Sequence, residues 1–283
     1  MESYKEQLTL WRTRMTRFLV LYVAAVAMAV QPEKPNFIDV PVLTSRVAGD
    51  SLFADIINRC EARMSDSSGP VLDTGSRGTD AHESSHRLTA QIRNDYCAKY
   101  SKPSDKWNAF YFFNGKGMVV PEPNIRLETV ADFVPPSLRE NRLRLYVLGS
   151  PAWSTRPLYV AYEWNAYING CEVAYEDSTN GLKDRSSDRA VSVIEMGIYT
   201  VALGMAVKEY DPTYFKNEKQ FLAYLRYEWA RSKRVFDRDS PAFPNEAQDR
   251  LINNLRNSVD AGKMRNFIRL YLDGVWLTDK PKE

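Results

Sequence analysis

The two histidines of the chain stand four residues apart, at His82 and His86, and Glu83 directly follows the first. Residues i and i+4 of a helix lie one turn apart on the same face, so both imidazoles can reach one metal ion. Zinc binds neutral imidazole nitrogens, and catalytic zinc sites combine three protein ligands with an open position for water. Glu83 can take a proton from that water as general base and pass it to a leaving group. The spacing predicts a zinc-dependent hydrolytic site.

The five-residue pattern His-Glu-x-x-His is short and occurs by accident in unrelated proteins. Two histidines placed at random would fall into it in about one case in two thousand. A predicted capped helix, beginning at Thr79 or Asp80 and ending near Asn94, carries the pattern in its first two turns. The alternative is a pair of surface histidines at the Ser-rich start of a helix.

The segment 82–86 (HESSH) resembles the zinc-binding signature of the zincin metallopeptidases. A metzincin-type third histidine does not exist in this chain, so the resemblance implies the gluzincin pattern, in which the third ligand is a glutamate on a later helix. It also implies a catalytic helix under a sheet whose edge strand holds an extended substrate. The clearest predicted hairpin here, residues 107–120, follows the motif instead of preceding it. The resemblance covers one short motif and one later helix.

A third ligand of the expected zinc must be Glu, Asp or conceivably Cys171. Glu163 lies in a largely apolar and aromatic helical stretch (LYVAYEWNAY), where a buried carboxylate is normally paired or bound to a cation. We therefore predict Glu163 as the third ligand, with Glu172 and Glu195 as alternatives. Glu163 could instead be a carboxylate bonded to a buried Tyr or Arg.

Hydrolysis through a tetrahedral intermediate also needs a hydrogen-bond donor for the oxyanion, commonly Tyr, His or Arg. Three tyrosines are nearest in sequence to the predicted ligand helix: Tyr146, Tyr159 and Tyr167. We predict Tyr167 as this catalytic donor, because it stands one helical turn from Glu163 on the same face. Asp80 and Asn165 are candidates for fixing an imidazole tautomer, or else for capping and solvation.

The hydrophobic periodicity predicts a mostly helical α+β fold with a small sheet near the motif. Residues 37–43 form a possible edge strand, and residues 107–120 form a hairpin around an Asn-Gly turn. Helices are predicted over these ranges: 51–64, part of 137–148, 157–176, 188–208, 217–234, 245–259 and 261–273. One zincin-like domain over residues 30–283 is expected, with a helical C-terminal subregion from about 186.

The N-terminus has the layout of a secretory signal peptide. Arg12, Arg14 and Arg17 precede an apolar run over residues 18–30, which ends in the small-residue sequence Ala27-Met28-Ala29. The run is shorter than the ~20 residues that a membrane-spanning helix needs, although a membrane anchor is the alternative. We predict cleavage after Ala29 and a secreted or periplasmic protein with no stable membrane anchor.

Export permits disulfide bonds, and the chain has three cysteines. Cys60 and Cys97 flank the histidine motif from predicted helices on either side of it and form the more attractive pair, with Cys171 left over. The alternative is three buried cysteines that pack as small hydrophobic residues.

The formal net charge of the chain is +2, without a basic tract of the kind that binds nucleic acid. The sequence therefore predicts an exported zinc metallopeptidase that acts on a peptide or protein substrate, with no nucleic-acid partner and an oligomeric state that is left open. An amidase acting on cell-wall peptides would use the same site. A non-catalytic secreted helical binding protein, with the motif as a metal-stapled element or an accident, is the alternative from another class.

Overall fold

The computed structural model describes residues 33–60, 75–182, 189–241 and 244–278. The predicted signal peptide, residues 1–29, lies outside the described residues. Residues Pro35–Glu283 form one compact unit. Its strands are β1 (Ile38–Asp39), β2 (Trp107–Phe112) and β3 (Lys116–Pro121), and its α-helices are α1 (Leu52–Ile57), α2 (Arg77–Lys99), α3 (Tyr159–Thr179), α4 (Arg189–Tyr210), α5 (Pro212–Asn217), α6 (Lys219–Asp239), α7 (Glu246–Asn257) and α8 (Gly262–Tyr271). The predicted class, mostly helical α+β, is confirmed.

The sheet is antiparallel and has the order β1-β3-β2. The predicted hairpin is present, with Trp107 opposite Pro121 and Phe112 opposite Lys116. Its turn places both Asn114 and Gly115 at positive φ, as a type I′ hairpin turn requires. β2 packs against α2 and α3, and β3 packs against α2 and α6, so the sheet contacts these three long helices.

Helix α2, which carries the histidine motif, begins earlier than predicted. Its N-cap is Ser76, whose hydroxyl oxygen accepts a hydrogen bond from the backbone N–H of Thr79 at 3.3 Å. The prediction of Thr79 or Asp80 as the cap was wrong, because Ser76 offers the same chemistry three residues earlier. His82 and His86 consequently lie in the second and third turns, where the backbone is fully hydrogen-bonded and better fixed.

Other predicted boundaries also differ from the structure. Helix α1 ends at Ile57, and residues 61–74 lie outside the described part of the chain. The segment 137–148 forms a short 3₁₀ turn and a π-helix, Leu143–Leu148. Helix α5 was not predicted, although Asp211 before Pro212 is a normal helix start: the Asp211 carboxylate accepts from Tyr214 N.

All three cysteines are buried, and Cys60 and Cys97 form no disulfide bond with each other. Of the two alternatives that the sequence leaves open, the structure has the buried thiols. The Cys60 thiol donates a weak hydrogen bond to the carbonyl oxygen of Ser84 at 3.6 Å, and burial raises its pKa to about 12. A thiol with so high a pKa is not poised for reaction, so Cys60 packs as a small hydrophobic residue.

Helix α4 is apolar along most of its length. It is the one helix among the described residues that is long and apolar enough to cross a membrane, and 94% of its most apolar stretch is buried in the protein. It packs against α3, α5, α6 and α7. This environment is that of the core helix of a folded domain.

Helices α2 and α3 meet at a contact between their backbones. A Cβ atom at Gly170 of α3 would lie 2.8 Å from the carbonyl oxygen of Gly78 and 3.3 Å from the Cβ of His82, both on α2. Glycine inside a helix costs about 0.5–1 kcal/mol relative to alanine. The close approach explains why a glycine stands at position 170 despite this cost, because a larger side chain would keep the two helices further apart.

Replacing Gly170 with alanine should therefore destabilise the protein, although the same change stabilises most helices. The added methyl group collides with the backbone of α2, and overpacking of this kind costs about 1–3 kcal/mol of the free energy of unfolding. Gly262→Ala is the matched control, because its Cβ would meet only a flexible arginine tip at 3.7 Å. Urea unfolding of both variants measures the difference. Equal stability for Gly170→Ala and the wild type would contradict the backbone contact.

Candidate metal centre

The three side chains predicted to bind a metal converge between α2 and α3. The Nε2 atoms of His82 and His86 are 3.1 Å apart. The Oε2 atom of Glu163 lies 3.7 Å from His82 Nε2 and 3.3 Å from His86 Nε2. Within the described part of the chain, this is the one group of three such side chains that could hold a metal ion.

These separations match the ligand spacing of a small tetrahedral ion. Zinc–nitrogen and zinc–oxygen bonds of about 2.0–2.2 Å place neighbouring ligand atoms about 3.4 Å apart in a tetrahedron. The three observed distances, 3.1, 3.3 and 3.7 Å, bracket that value. Two imidazoles and one carboxylate also form a donor set found in catalytic zinc sites, with the fourth position left for water. The residues therefore fit a zinc ion without rearrangement of the helices.

Glu163 is 6% exposed and lies in the first turns of α3. The Tyr159 hydroxyl, one turn earlier, hydrogen-bonds its carboxylate. Among the described residues, the ion pairs of Glu163 are those with His82 and His86. A buried carboxylate without an arginine or lysine partner is costly unless a cation binds it.

The alternative ligands are bound elsewhere. The Glu172 carboxylate accepts a hydrogen bond from Arg231 Nε at 3.1 Å. The Glu195 carboxylate accepts from Arg142 Nη1 at 2.8 Å and from the Tyr199 hydroxyl at 2.9 Å. Glu172 and Glu195 are thus each paired with an arginine, whereas the ion pairs of Glu163 among the described residues are those with the two histidines.

The two imidazoles lie in different aromatic surroundings. The His82 ring meets the Tyr167 ring edge to face at 4.5 Å, and the His86 ring stacks on Tyr162 at 4.4 Å. The Tyr162 hydroxyl also donates a hydrogen bond to the backbone carbonyl of His86 at 2.8 Å. These contacts restrict both rings to orientations in which the Nε2 atoms face Glu163.

Burial lowers the pKa of His82 to about 3, and the nearby His86 and Arg142 lower it further in the same direction. His82 is therefore neutral at ordinary pH, which is the form that binds a metal. The Nδ1 atom of His86 is buried, without a hydrogen-bond partner among the described residues.

A buried polar network fixes the position of α2, the helix that carries the histidine motif. The Ser85 hydroxyl, inside the motif, accepts a hydrogen bond from Asn169 Nδ2 of α3 at 3.0 Å. Asn169 Oδ1 accepts from Arg231 Nη2 of α6 at 2.6 Å, and Arg231 also pairs with Glu228 at 3.1 Å. This network holds α2, α3 and α6 in one rotational setting, and removing one member of a buried ion pair typically costs about 3–5 kcal/mol.

Of the two candidates for fixing an imidazole tautomer, Asn165 contacts other groups. Asn165 donates to the carbonyl of Tyr111 at 3.0 Å and to Glu228 at 2.6 Å, so it ties α3 to β2 and α6. Its predicted contact with an imidazole was wrong, because the opposite face of α3 carries Glu163. Asp80 is buried in the first turn of α2.

Glu83 is exposed to solvent directly after His82. The next two residues of the motif, Ser84 and Ser85, are buried, so Glu83 is the one exposed residue of the segment 83–85. The Glu83 carboxylate is therefore accessible to water.

Tyr167 lies in a cluster of hydroxyl and guanidinium groups on the His82 side of the centre. Its hydroxyl is 2.8 Å from the Tyr146 hydroxyl, on the π-helix. The Arg142 guanidinium lies 5.5 Å from the Tyr167 ring centre. Glu195 of α4 binds both the backbone N–H and the side chain of Arg142 at 3.0 and 2.8 Å. Sequence reasoning missed Arg142, because it lies in an irregular segment without a motif.

No protein-family model, curated protein or solved structure matches the chain.

Zinc binding should depend on all three converging side chains. We expect the purified protein to carry about one zinc ion per chain, and His86→Ala or Glu163→Gln to lose stoichiometric zinc while the helical fold remains. The measurement is metal analysis of dialysed protein beside circular dichroism. Glu209→Gln, at an exposed glutamate, is the control and should keep the zinc. Full zinc occupancy in the His82→Ala/His86→Ala double variant would refute the site.

Proposed function

We propose that this chain is an exported zinc-dependent metallopeptidase that hydrolyses peptide bonds. The observation that carries the proposal is the convergence of two imidazoles and one buried carboxylate at separations of 3.1–3.7 Å, with an exposed glutamate directly after the first histidine. His82, His86 and Glu163 are the proposed zinc ligands. A bound zinc ion supplies a Lewis acid for the scissile carbonyl and lowers the pKa of a coordinated water.

The residues around this centre take the remaining roles. Glu83 accepts the proton of the attacking water and delivers it to the leaving nitrogen. Tyr167 donates a hydrogen bond to the oxygen of the tetrahedral intermediate, and Tyr146 orients its hydroxyl through the 2.8 Å contact. The charge of Arg142, fixed by Glu195, favours the negative oxygen over the neutral carbonyl.

Peptide bonds are proposed as the substrate because HESSH resembles the zincin signature. Export is proposed on the strength of residues 1–29, whose basic start, apolar run and small-residue end are typical of a signal peptide. A secreted or periplasmic location follows from that leader.

Glu83→Gln should keep the zinc and lose activity. The amide has the shape of the carboxylate but cannot accept the proton, so we expect a loss of roughly 10²-fold or more in kcat. The assay is digestion of a peptide library, with zinc measured on the same preparation. Wild-type turnover in this variant would exclude the general-base role. A wild-type protein that binds zinc but cleaves neither peptides nor cell-wall fragments would instead indicate a metal-stapled binding protein.

Tyr167→Phe should lower kcat without releasing zinc. The variant keeps the ring that packs on His82 but loses the hydroxyl, and removal of one oxyanion donor costs roughly 10²-fold in kcat with little change in KM. Tyr210→Phe is the control, because Tyr210 is 55% exposed. Unchanged kinetics in Tyr167→Phe would remove this tyrosine from the mechanism.

A further inference from the structure

The 140–150 segment (ENRLRLYVLGS) lies beside the proposed active site, on the side of His82. Its Tyr146 hydroxyl is 2.8 Å from the Tyr167 hydroxyl, and the ring centres of these two tyrosines are 6.2 Å apart. The Tyr167 ring in turn meets the His82 ring at 4.5 Å. Two contacts between rings therefore connect this segment to a proposed zinc ligand.

The core helix α4 holds the start of the 140–150 segment. Glu195 accepts a hydrogen bond from the backbone N–H of Arg142 at 3.0 Å, and the Tyr199 hydroxyl accepts one from the backbone N–H of Glu140 at 3.0 Å. The Tyr199 hydroxyl also donates to the Glu195 carboxylate at 2.9 Å. Both α4 side chains are buried, so the start of the segment is fixed by hydrogen bonds that are shielded from water.

The end of the segment is fixed as well. The Ser150 hydroxyl donates a hydrogen bond to the backbone carbonyl of Leu145 at 2.9 Å. A Cβ atom at Gly149 would lie 2.6 Å from the carbonyl oxygen of Arg144, so the chain needs a glycine where it leaves the π-helix Leu143–Leu148. Single turns of π-helix are rare and are frequent at functional sites. The backbone between these anchors presents its side chains in fixed directions.

Two leucines of this segment face solvent. Leu145 is 60% exposed and Leu148 is 54% exposed, whereas Leu143 and Val147 are buried in the hydrophobic core. The buried pair already supplies the apolar face by which a surface element packs. Single exposed leucines need no explanation. These two lie within four residues on one fixed turn, next to the tyrosine that contacts the site.

We propose that Leu145 and Leu148 are specificity-determining residues that contact an apolar side chain of the substrate peptide. The inference rests on the proposed function, because it names a side chain that the cleaved peptide carries. An extended peptide advances about 3.3 Å per residue. The two distances between ring centres, 6.2 and 4.5 Å, therefore place this side chain about two or three residues from the scissile bond.

The surface that contains the two leucines is accessible and small. The His82 and His86 side chains are partly exposed and both leucines are exposed, so an extended peptide can contact all four from the solvent side. A stable contact with a second copy of the chain buries roughly 800 Å² per partner, far more than two partly exposed leucines offer. One or two apolar side chains of a peptide match a surface of this size.

The test uses binding as well as cleavage. The probes are fluorescently labelled eight-residue peptides of glycine and serine that carry one leucine, or one asparagine of the same branched shape, at each position in turn. Binding to zinc-loaded Glu83→Gln protein is measured by fluorescence anisotropy, and kcat/KM is measured on the wild type. We expect leucine at the matching position to improve binding and kcat/KM roughly tenfold over asparagine.

Leu145→Ser and Leu148→Ser, separately and together, should remove this preference in both assays. Binding of the asparagine peptides, zinc content and the urea midpoint should stay unchanged, whereas a merely structural role would weaken the binding of all peptides alike. Leu148→Met keeps an apolar side chain and should keep the preference. Leu270→Ser is the matched control, because Leu270 is a 71% exposed leucine on α8.

The possible results separate this proposal from the proposed function. Equal binding of leucine and asparagine peptides by the Glu83→Gln protein, or a preference that survives in the double serine variant, overturns the role of the two leucines. Dimers of the wild type that the double serine variant fails to form, seen by sedimentation without any peptide preference, overturn it in favour of a contact between copies. Selective binding that the serine variants lose, without cleavage of any peptide, supports the role and refutes the peptidase function. Cleavage without a preference for leucine does the reverse.

Discussion

The close approach of α2 and α3 is the constraint on which the site depends. Imidazole and carboxylate side chains are short, so they can share one ion only if the two helix backbones are near each other. Gly170 provides this proximity, because its missing side chain leaves room for the carbonyl oxygen of Gly78. The histidines on one helix and Glu163 on the other then face each other with no loop between them. A site built on two rigid helices keeps its ligand geometry better than one built on loops.

The rotation of these helices is set by buried polar groups, which also decide which carboxylate remains for a metal. Arg231 binds Glu172, Glu228 and Asn169, and Arg142 binds Glu195. Arg231 and Arg142 are therefore paired with Glu172 and Glu195, the two glutamates that were the alternatives to Glu163 as a metal ligand. Because a buried charge without a partner is very costly, each of these pairs excludes its glutamate from the metal centre. Glu163 is the acidic residue that points at the two imidazoles instead.

Sequence reasoning found the parts of the site that a local pattern specifies. The i, i+4 spacing fixed His82 and His86 on one face, and the aromatic stretch around Glu163 indicated a buried carboxylate. It failed where the outcome depends on how distant segments pack together. Asn165 faces β2, and Cys60 and Cys97 do not form a disulfide bond. Arg142, which contacts the Tyr167 ring, comes from an irregular segment. The hairpin and the long helices followed from periodicity, whereas the Ser76 cap was missed because Ser76, Thr79 and Asp80 could each begin the helix.

In the proposed hydrolysis, the positive charge near the centre would favour a step in which negative charge develops. The Arg142 guanidinium lies on the His82 side of the three side chains, against the Tyr167 ring that contacts His82. A cation beside a metal site weakens metal binding, so its presence needs another explanation. Arg142 is paired with Glu195, and its guanidinium lies against the Tyr167 ring. A substrate oxygen that gains charge during hydrolysis would meet this preoriented donor group at little reorganisation cost, which is the main source of electrostatic catalysis.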